Sequence, residues 1–195
     1  MYRAVTRRFL DAGCAPSPDG SDSQQKLPGM QAVLAGMRME LTALRVHVDG
    51  VDVTDRLRSQ DVESRVSAVA ALPFVREAMK VLQRDVAAAS PIVAEGRDMT
   101  TVVFPNARWK VYLTATAEER ARRRCAEFLQ RGREVSFATV LAEIVERDRF
   151  DMTRKDAPLF HDPSAQMVDS TSMTTEQVLQ RILELVRDGK QASRA

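Results

Sequence analysis

Residues 91–107, PIVAEGRDMTTVVFPNA, constrain the fold more than any other stretch of the chain. The apolar run at 92–94 predicts a short strand, and Gly96 permits a sharp backbone exit at its carboxyl end. Arg97 and Asp98 follow at once. Because ligands of open parallel sheets bind outside the carboxyl ends of strands, this Gly-Arg-Asp turn is a candidate binding position. The alternative is an ordinary surface turn in which Arg97 and Asp98 pair with each other.

After residue 90 the hydrophobic pattern alternates between strand and helix, which predicts an α/β fold with a parallel sheet flanked by helices. The predicted elements are a strand at 110–114, a helix at 117–131, a helix from 137 to about 149, a strand at 166–169 and a final helix through Arg187. Thr116 with Glu119 makes a capping box for the first of these helices, and Thr174 with Gln177 can cap the last one.

The first half of the chain mixes helical and β patterns. The predicted elements are a helix at 2–10, a loop at 14–29, a short helix at 31–37, a strand at 40–48, a return strand at 51–53 and two helices separated by Pro73 that end near 89. Asp49-Gly50 between the strands is a strong hairpin signal. Residues 38–89 therefore predict a small inserted α+β lobe.

Composition limits the function classes. A chain of 195 residues with 44% hydrophobic and 29% charged residues suits one globular domain. No stretch approaches the ~20 apolar residues of a membrane span, and the N-terminus does not resemble a signal peptide, so we expect a cytoplasmic protein without a membrane partner. Nucleic-acid binding is disfavoured because 27 acidic residues offset the 29 basic ones and only 5% are aromatic.

Arginine makes up 24 of the 29 basic residues. Its planar fork binds phosphate and carboxylate groups at two points. A GC-rich genome would also raise the arginine count, so position must decide between these explanations. His47, His161, Cys14 and Cys125 are each isolated in sequence, and we predict no metal site built from them.

Several segments, taken in order, resemble bacterial cytidylate kinase, a nucleoside monophosphate kinase of the P-loop class. They are MYRAVT, Arg58 with SQDV, VSAVAALPFVREAMKVLQR, VAEGRDMTTVVFPNARWKVYLTATAEERARRR, VLAEIVERDRFDMTR, APL and VDSTSMTTEQV. The resemblance covers nearly the whole chain. It implies a parallel sheet flanked by helices, with a nucleoside-monophosphate-binding lobe at about 38–89 and a helical lid at about 118–164.

The resemblance implies an enzyme of pyrimidine nucleotide metabolism. Such an enzyme transfers the γ-phosphate of ATP to CMP or dCMP and uses Mg²⁺. Its partners would be these small nucleotides alone, and the family expectation is a monomer. Phosphoryl transfer depends on positioning and on concentrated positive charge more than on a protein nucleophile.

The family's phosphate-binding and catalytic arginines match positions in this chain. Arg3, Arg97 and Arg154 are similar to the arginines that hold the CMP phosphate. Arg147 resembles a lid arginine that reaches toward the transferring group. Tyr2 is expected to pack beside the acceptor.

Recognition of the base is implied for three residues. Asp98 resembles the carboxylate that accepts a hydrogen bond from the exocyclic amino group of cytosine. Uracil carries an acceptor at that position, and one good base contact is worth roughly 1–3 kcal/mol of discrimination. Ser67 and Arg76 resemble the residues that complete the cytosine site. Their alternative is a helix-surface serine and a solvated arginine.

Ribose and ATP contacts are implied for three more residues. Asp151 is similar to the residue that accepts hydrogen bonds from the ribose, and it lies one turn beyond Arg147 if the helix continues that far. Arg120 and Arg123 resemble arginines that meet ATP. The arginine-rich surface of that helix could equally be a solvated face.

The chain departs from the family pattern in its phosphate loop. Its 195 residues contain no GxxxxGK[ST] run, whose backbone amides and lysine bind the ATP phosphates. Thr100 stands where the family usually has glycine, and Phe150 stands where a polar residue is common. Because the family's first strand and phosphate loop are both absent from this sequence, we expect a native product that is longer at its N-terminus. The alternatives are an inactive short form with a partial CMP site, or a broader pyrimidine kinase, against which Asp98 argues.

Overall fold

The chain divides into two compact units, Met1–Ile92 and Val93–Ala195. The computed structural model describes residues 1–42, 44–153 and 159–192. Both units contain helices and strands, so the predicted mixture of α and β structure is confirmed. In the parts of the chain that are described, no helix is long and apolar enough to cross a membrane.

Four helices form the main core of the first unit. They are α1 (Tyr2–Asp11), α2 (Ser23–Gly36), α3 (Gln60–Ala70) and α4 (Pro73–Ala89). Val5 and Phe9, four residues apart on one face of α1, are fully buried. They pack in one cluster with Val69 and Val75. Pro73 opens α4, so the predicted break between two helices is confirmed.

Helix α2 is longer than the sequence pattern suggests. The predicted loop at 14–29 is wrong over its second part, because α2 begins at Ser23 and continues through Pro28 and Gly29. Met30 on this helix is fully buried in the core cluster. Burial against the other helices therefore overrides the local breaker residues.

A three-stranded antiparallel sheet completes the first unit. Its strands β1 (Met39–Leu41), β2 (Val46–Val48) and β3 (Val51–Asp52) follow one another in order. The predicted hairpin is confirmed, since Asp49 and Gly50 adopt φ values of 52° and 80° between β2 and β3. The single strand predicted at 40–48 is wrong, because the chain turns between β1 and β2, where the amide of Thr42 donates to the carbonyl of Arg45 at 2.9 Å.

A buried arginine ties α1 to α3. Arg7 is 9% exposed, and its Nη1 and Nη2 lie 2.7 Å from carboxylate oxygens of Asp61 and Asp11 respectively. Asp11 also accepts a hydrogen bond from Arg56 at 2.6 Å. Burial alone would raise the pKa of Asp11, but the hydrogen bonds from Arg7 and Arg56 lower it below its usual value. The network pairs ionised groups through Nη1 and Nη2 of Arg7, while its buried Nε makes no hydrogen bond among the described residues.

The second unit begins with an irregular segment, so the strand predicted at 92–94 is wrong. Val93 is fully exposed, and a π-helical turn, Met99–Val103, follows. An extended run becomes a strand only when a neighbouring strand pairs with its backbone. The parallel sheet that is described in this unit pairs β4 (Val111–Thr114) with β5 (Gln166–Asp169), in the register Val111 opposite Gln166. The predicted strands at 110–114 and 166–169 are confirmed.

Three helices accompany this parallel pair. They are α5 (Ala117–Gln130), α6 (Phe137–Thr153) and α7 (Thr175–Ala192). Thr116 caps α5, its hydroxyl accepting from the amide of Glu119 at 3.2 Å. Ala121 and Phe128 of α5 form a buried cluster with Val140 of α6. Helix α6 continues four residues past the predicted end near Arg149, and this extension carries Asp151.

Candidate active site

The last two turns of α6 present acidic and basic side chains together. Asp148 and Asp151 are three residues apart, which places both carboxylates on one face of the helix. Asp151 is 6% exposed. Arg147, one turn before it, has its Nε 3.9 Å from Oδ2 of Asp151. The expectation that the helix brings Arg147 and Asp151 one turn apart is confirmed.

Arg97 extends from the Gly-Arg-Asp turn to these carboxylates. Its Nε lies 3.3 Å from Oδ2 of Asp151, and its Nη1 lies 3.6 Å from Oδ1 of Asp148. The side chain of Arg97 remains 37% exposed. The predicted functional turn and the predicted ribose-binding residue therefore come together within the second unit.

Arg120 binds Asp148 in a two-point arrangement. Its Nη1 and Nη2 donate to Oδ1 and Oδ2 of Asp148 at 3.1 and 2.6 Å. Its Nε donates to the carbonyl of Ala115 at 3.1 Å, just before α5 begins. Three arginines from three segments, Arg97, Arg120 and Arg147, thus converge on two carboxylates of one helix. Concentrated guanidinium groups held in fixed orientation are suited to binding phosphate oxygens.

Arg123 lies one turn further along α5 and has different neighbours. Its Nε donates to Glu119 at 3.0 Å, and its Nη1 donates to the hydroxyl of Ser170 at 3.2 Å. Its Nη2 donates to the carbonyl of Ser170. Ser170 is 2% exposed and follows β5. In this structure Arg123 joins α5 to the end of the parallel sheet.

The Gly-Arg-Asp turn is tightly packed on its inner side. Asp98 is 5% exposed, and its carbonyl accepts hydrogen bonds from the amides of Val102 and Val103 at 2.9 and 3.2 Å. Met99, 9% exposed, lies against Gly96, where an added Cβ would come within 2.8 Å of the methionine Cε. Glycine at position 96 therefore allows the close approach of Met99 rather than a positive φ.

The candidate residues of the first unit lie on three helices. Arg3 of α1 donates to the carbonyl of Leu57 at 2.9 Å and to Glu63 at 3.4 Å. Arg76 of α4 donates to the carbonyl of Ala70 at 3.4 Å. Tyr2 and Ser67 are half-buried, on α1 and α3. Arg154 is outside the described residues.

The family model described as cytidylate kinase matches residues 1–188. The cytidylate kinase of Pelotomaculum thermopropionicum is 41% identical over 97% of this chain and 83% of its own length. The chain belongs to the cytidylate kinase family.

Two further relatives support membership of the cytidylate kinase family. The enzyme of Geobacillus thermodenitrificans is 41% identical over 96% of this chain and 82% of its own length. The bifunctional pantoate ligase/cytidylate kinase of a Synechococcus species is 41% identical over 96% of this chain and 38% of its own length.

The expectation of an N-terminally longer native product is not confirmed by these matches, and the alternative of an inactive short form is not favoured.

Asp148 is a residue of this arginine–aspartate cluster that sequence reasoning missed. A signal was present, because the spacing of three between Asp148 and Asp151 predicts one helix face. Motif matching assigned a role to Asp151 alone. The contact to Arg120, 28 residues away, depends on tertiary packing and has no local signature.

The cytidylate kinase family implies Mg²⁺, which protein sites hold through oxygen ligands such as Asp and Glu carboxylates. Within residues 1–42, 44–153 and 159–192, no group of three or more His, Cys, Asp or Glu side chains is arranged to hold a metal ion. Asp148 and Asp151 lie three residues apart on α6, but Arg97 and Arg120 form ion pairs with Asp148, and Arg97 lies 3.3 Å from Oδ2 of Asp151. The described residues therefore do not form a protein-built Mg²⁺ site.

Proposed function

We propose that this chain transfers the γ-phosphate of ATP to CMP or dCMP, giving CDP or dCDP. The observation that carries the proposal is the convergence of Arg97, Arg120 and Arg147 on Asp148 and Asp151. Membership of the cytidylate kinase family supplies the reaction that such a cluster would serve. This reaction makes the protein a nucleoside monophosphate kinase, which is a transferase of pyrimidine nucleotide metabolism.

In the proposed reaction, arginines bind the phosphate groups and stabilise their charge. In phosphoryl transfer, catalysis comes mainly from positioning and from stabilising the charge on the transferring oxygens. Arg97 and Arg147 are 37% and 52% exposed, so a phosphate group can reach both. We expect Arg97 and Arg154 to bind the CMP phosphate and Arg147 to contact the transferring group. Asp151, buried between Arg97 and Arg147, would accept from the ribose.

Base selection is proposed for Asp98. A carboxylate accepts from the exocyclic amino group of cytosine but meets an acceptor in uracil. Asp98 is 5% exposed, so water would compensate poorly for a mismatched acceptor. We further propose that Ser67 and Arg76 contact cytosine, that Arg3 binds the CMP phosphate and that Tyr2 packs beside it.

Binding of the donor nucleotide is proposed for Arg120 and Arg123. Both are ordered by neighbouring groups, Arg120 by Asp148 and Arg123 by Glu119 and Ser170. Mg²⁺ supplies neutralisation of phosphate charge when it is bound with ATP, and it binds largely through phosphate oxygens and water. No step of the proposal depends on a protein-built metal site.

We propose a P-loop nucleoside monophosphate kinase fold in which residues 38–89 are the monophosphate-binding lobe and 118–164 the lid. The parallel pairing of β4 with β5 and the antiparallel sheet within 38–89 support it. We expect a cytoplasmic monomer whose partners are nucleotides.

A substrate panel tests the proposal. Folded protein is incubated with ATP, Mg²⁺ and one of CMP, dCMP, UMP or AMP, and diphosphate formation is measured by chromatography. We expect turnover of CMP or dCMP with kcat/KM at least about tenfold above that of UMP, as one base contact would give. Equal rates with CMP and UMP would refute Asp98 as the base-reading residue, and turnover of AMP alone would refute the function.

A further inference from the structure

The carboxylate of Asp148 is shared by two arginines from different segments. Arg120 of α5 approaches both oxygens, at 3.1 and 2.6 Å, while Arg97 of the Gly-Arg-Asp turn approaches Oδ1 at 3.6 Å. The side chain of Asp148 is 19% exposed, so solvent screens these contacts only partly. A change at this one carboxylate must therefore affect both arginines.

We propose that Asp148 is a positioning residue for phosphoryl transfer, which fixes Arg120 on the donor side and Arg97 on the acceptor side relative to each other. The inference rests on the proposed function, because the two sides are defined by it. Asp148 itself touches neither substrate in this account. It acts through the orientation of the two guanidinium groups.

The geometry of Arg120 explains how one carboxylate can set its orientation. Two parallel hydrogen bonds to Asp148 fix the plane of the guanidinium, and the bond from Nε to Ala115 removes the remaining rotation. These contacts use three of the five N–H groups of arginine, so two remain for phosphate oxygens. An orientation that is set before the ligand arrives costs no reorganisation during the reaction.

Arg97 is held at two points by the same helix. Oδ2 of Asp151 lies 3.3 Å from its Nε and Oδ1 of Asp148 lies 3.6 Å from its Nη1, so the two carboxylates of α6 attract the guanidinium by charge and favour one direction of its side chain. Loss of Asp148 would leave Arg97 with Asp151 alone. Rotation of the guanidinium would then misplace it, and a misplacement of about 1 Å can cost roughly 100-fold in rate.

The test is steady-state kinetics of Asp148→Asn with ATP and CMP. Asparagine keeps the size of the side chain, but it turns one acceptor oxygen into a donor that faces an arginine. We expect kcat to fall about 10- to 100-fold while the KM for CMP changes less than about threefold, because orientation is needed in the transition state. The matched control is Glu146→Gln on the same helix, whose partner is the exposed Arg149. It should retain kcat within about twofold, as surface pairs contribute little.

A double-mutant cycle separates positioning from a general loss of structure. If Asp148 acts through Arg120, the fall in kcat caused by Asp148→Asn should be at least about fivefold smaller in an Arg120→Ala background. A full, additive loss in that background would overturn the proposal. So would an Asp148→Asn variant that is folded and has kcat within twofold of the unaltered chain.

Two further outcomes are informative. If Asp148→Asn does not fold, Asp148→Glu keeps the charge but displaces it by one methylene, and kcat should still fall at least about fivefold at an unchanged thermal midpoint. Wild-type kcat in Asp148→Glu would overturn the proposal. A folded, unaltered chain without CMP turnover would instead overturn the proposed function, and the positioning role would fall with it.

Discussion

The Nε of Arg97 lies 3.3 Å from Oδ2 of Asp151, an ion pair that joins the Gly-Arg-Asp turn to the end of α6. The two residues are 54 positions apart in sequence, and Asp151 is almost fully buried. The pair places an arginine suited to phosphate beside a carboxylate suited to ribose hydroxyls.

Arg97→Ala and Asp98→Asn should have different effects on base selectivity. Loss of Arg97 removes a phosphate contact that every monophosphate shares, so kcat/KM should fall alike for CMP and UMP. Asp98→Asn should lower the CMP to UMP ratio of kcat/KM by roughly 5- to 150-fold, the equivalent of one base contact of about 1–3 kcal/mol. Competition assays with both monophosphates measure the ratio directly. An unchanged ratio in the Asp98 variant would disprove its base-reading role.

Gly96→Ala should disturb the same turn by crowding Met99. The added Cβ would lie 2.8 Å from Cε and 3.0 Å from Cγ of Met99, which is 9% exposed and directly follows Asp98. We expect a loss of about 1 kcal/mol in the free energy of unfolding, at the low end for overpacked sites, because the atom at 2.8 Å is the flexible end of the Met99 side chain. Gly36→Ala is the matched control because its Cβ meets no atom within 4 Å at the end of α2. Denaturant titration of both variants measures the free energy of unfolding. Equal stability of Gly96→Ala and Gly36→Ala would contradict the prediction and show that Met99 moves aside freely.

Arg7 should be a stability residue rather than a functional one. Replacing it with methionine removes the hydrogen bonds to Asp11 and Asp61 in a largely buried position. We expect the free energy of unfolding to fall by about 2 kcal/mol, since hydrogen bonds to charged groups are worth roughly 1.5–3 kcal/mol. The control is Arg45→Ala, which breaks an exposed pair with Asp52 and should cost less than about 1 kcal/mol. Equal losses from the two variants would contradict this account.

Acid should weaken the second unit through Asp162. Hydrogen bonds from Lys110 and then from Ser164 lower the pKa of Asp162 to about 2. A carboxyl whose pKa is depressed in the folded state stabilises that state above its unfolded pKa of about 3.9 and loses the effect as pH falls toward 2. The thermal midpoint of Asp162→Asn should therefore lie below that of the unaltered chain at pH 6, and the difference should shrink between about pH 4 and pH 2.

The control for this experiment is Asp188→Asn, which alters an exposed carboxyl on α7. Its midpoint should follow the unaltered chain across the whole range. A difference between Asp162→Asn and the unaltered chain that stays constant with pH would show that Lys110 stabilises the fold through packing instead.

The sequence predicted most helices because helix formation and helix ends depend largely on residues a few positions apart in the chain. Apolar residues at helical spacing and the Thr116 cap suffice for α1 and α5, and the Asp49-Gly50 pair suffices for its hairpin. The failures have tertiary causes. Burial of Met30 extends α2 through two breaker residues, and residues 92–94 have the composition of a strand but no strand pairs with them in the described structure.

In the candidate site, too, local spacing could be predicted from the sequence and tertiary contacts could not. Helical spacing predicted that Arg147 and Asp151 would be neighbours. Arg97 was singled out by the turn that precedes it, but its ion pairs with α6 could not be read from the sequence. Asp148 was missed because its partners Arg97 and Arg120 lie 51 and 28 residues away.

The most direct test of the central claim is to follow the phosphate itself. ATP labelled in its γ-phosphate is incubated with this 195-residue chain and CMP, and the products are separated and identified. The account predicts that the label appears in the β-phosphate of CDP, and that omission of CMP stops its release from ATP. Label recovered only as inorganic phosphate, or retained in ATP by protein shown to be folded, would contradict the claim that this chain phosphorylates CMP.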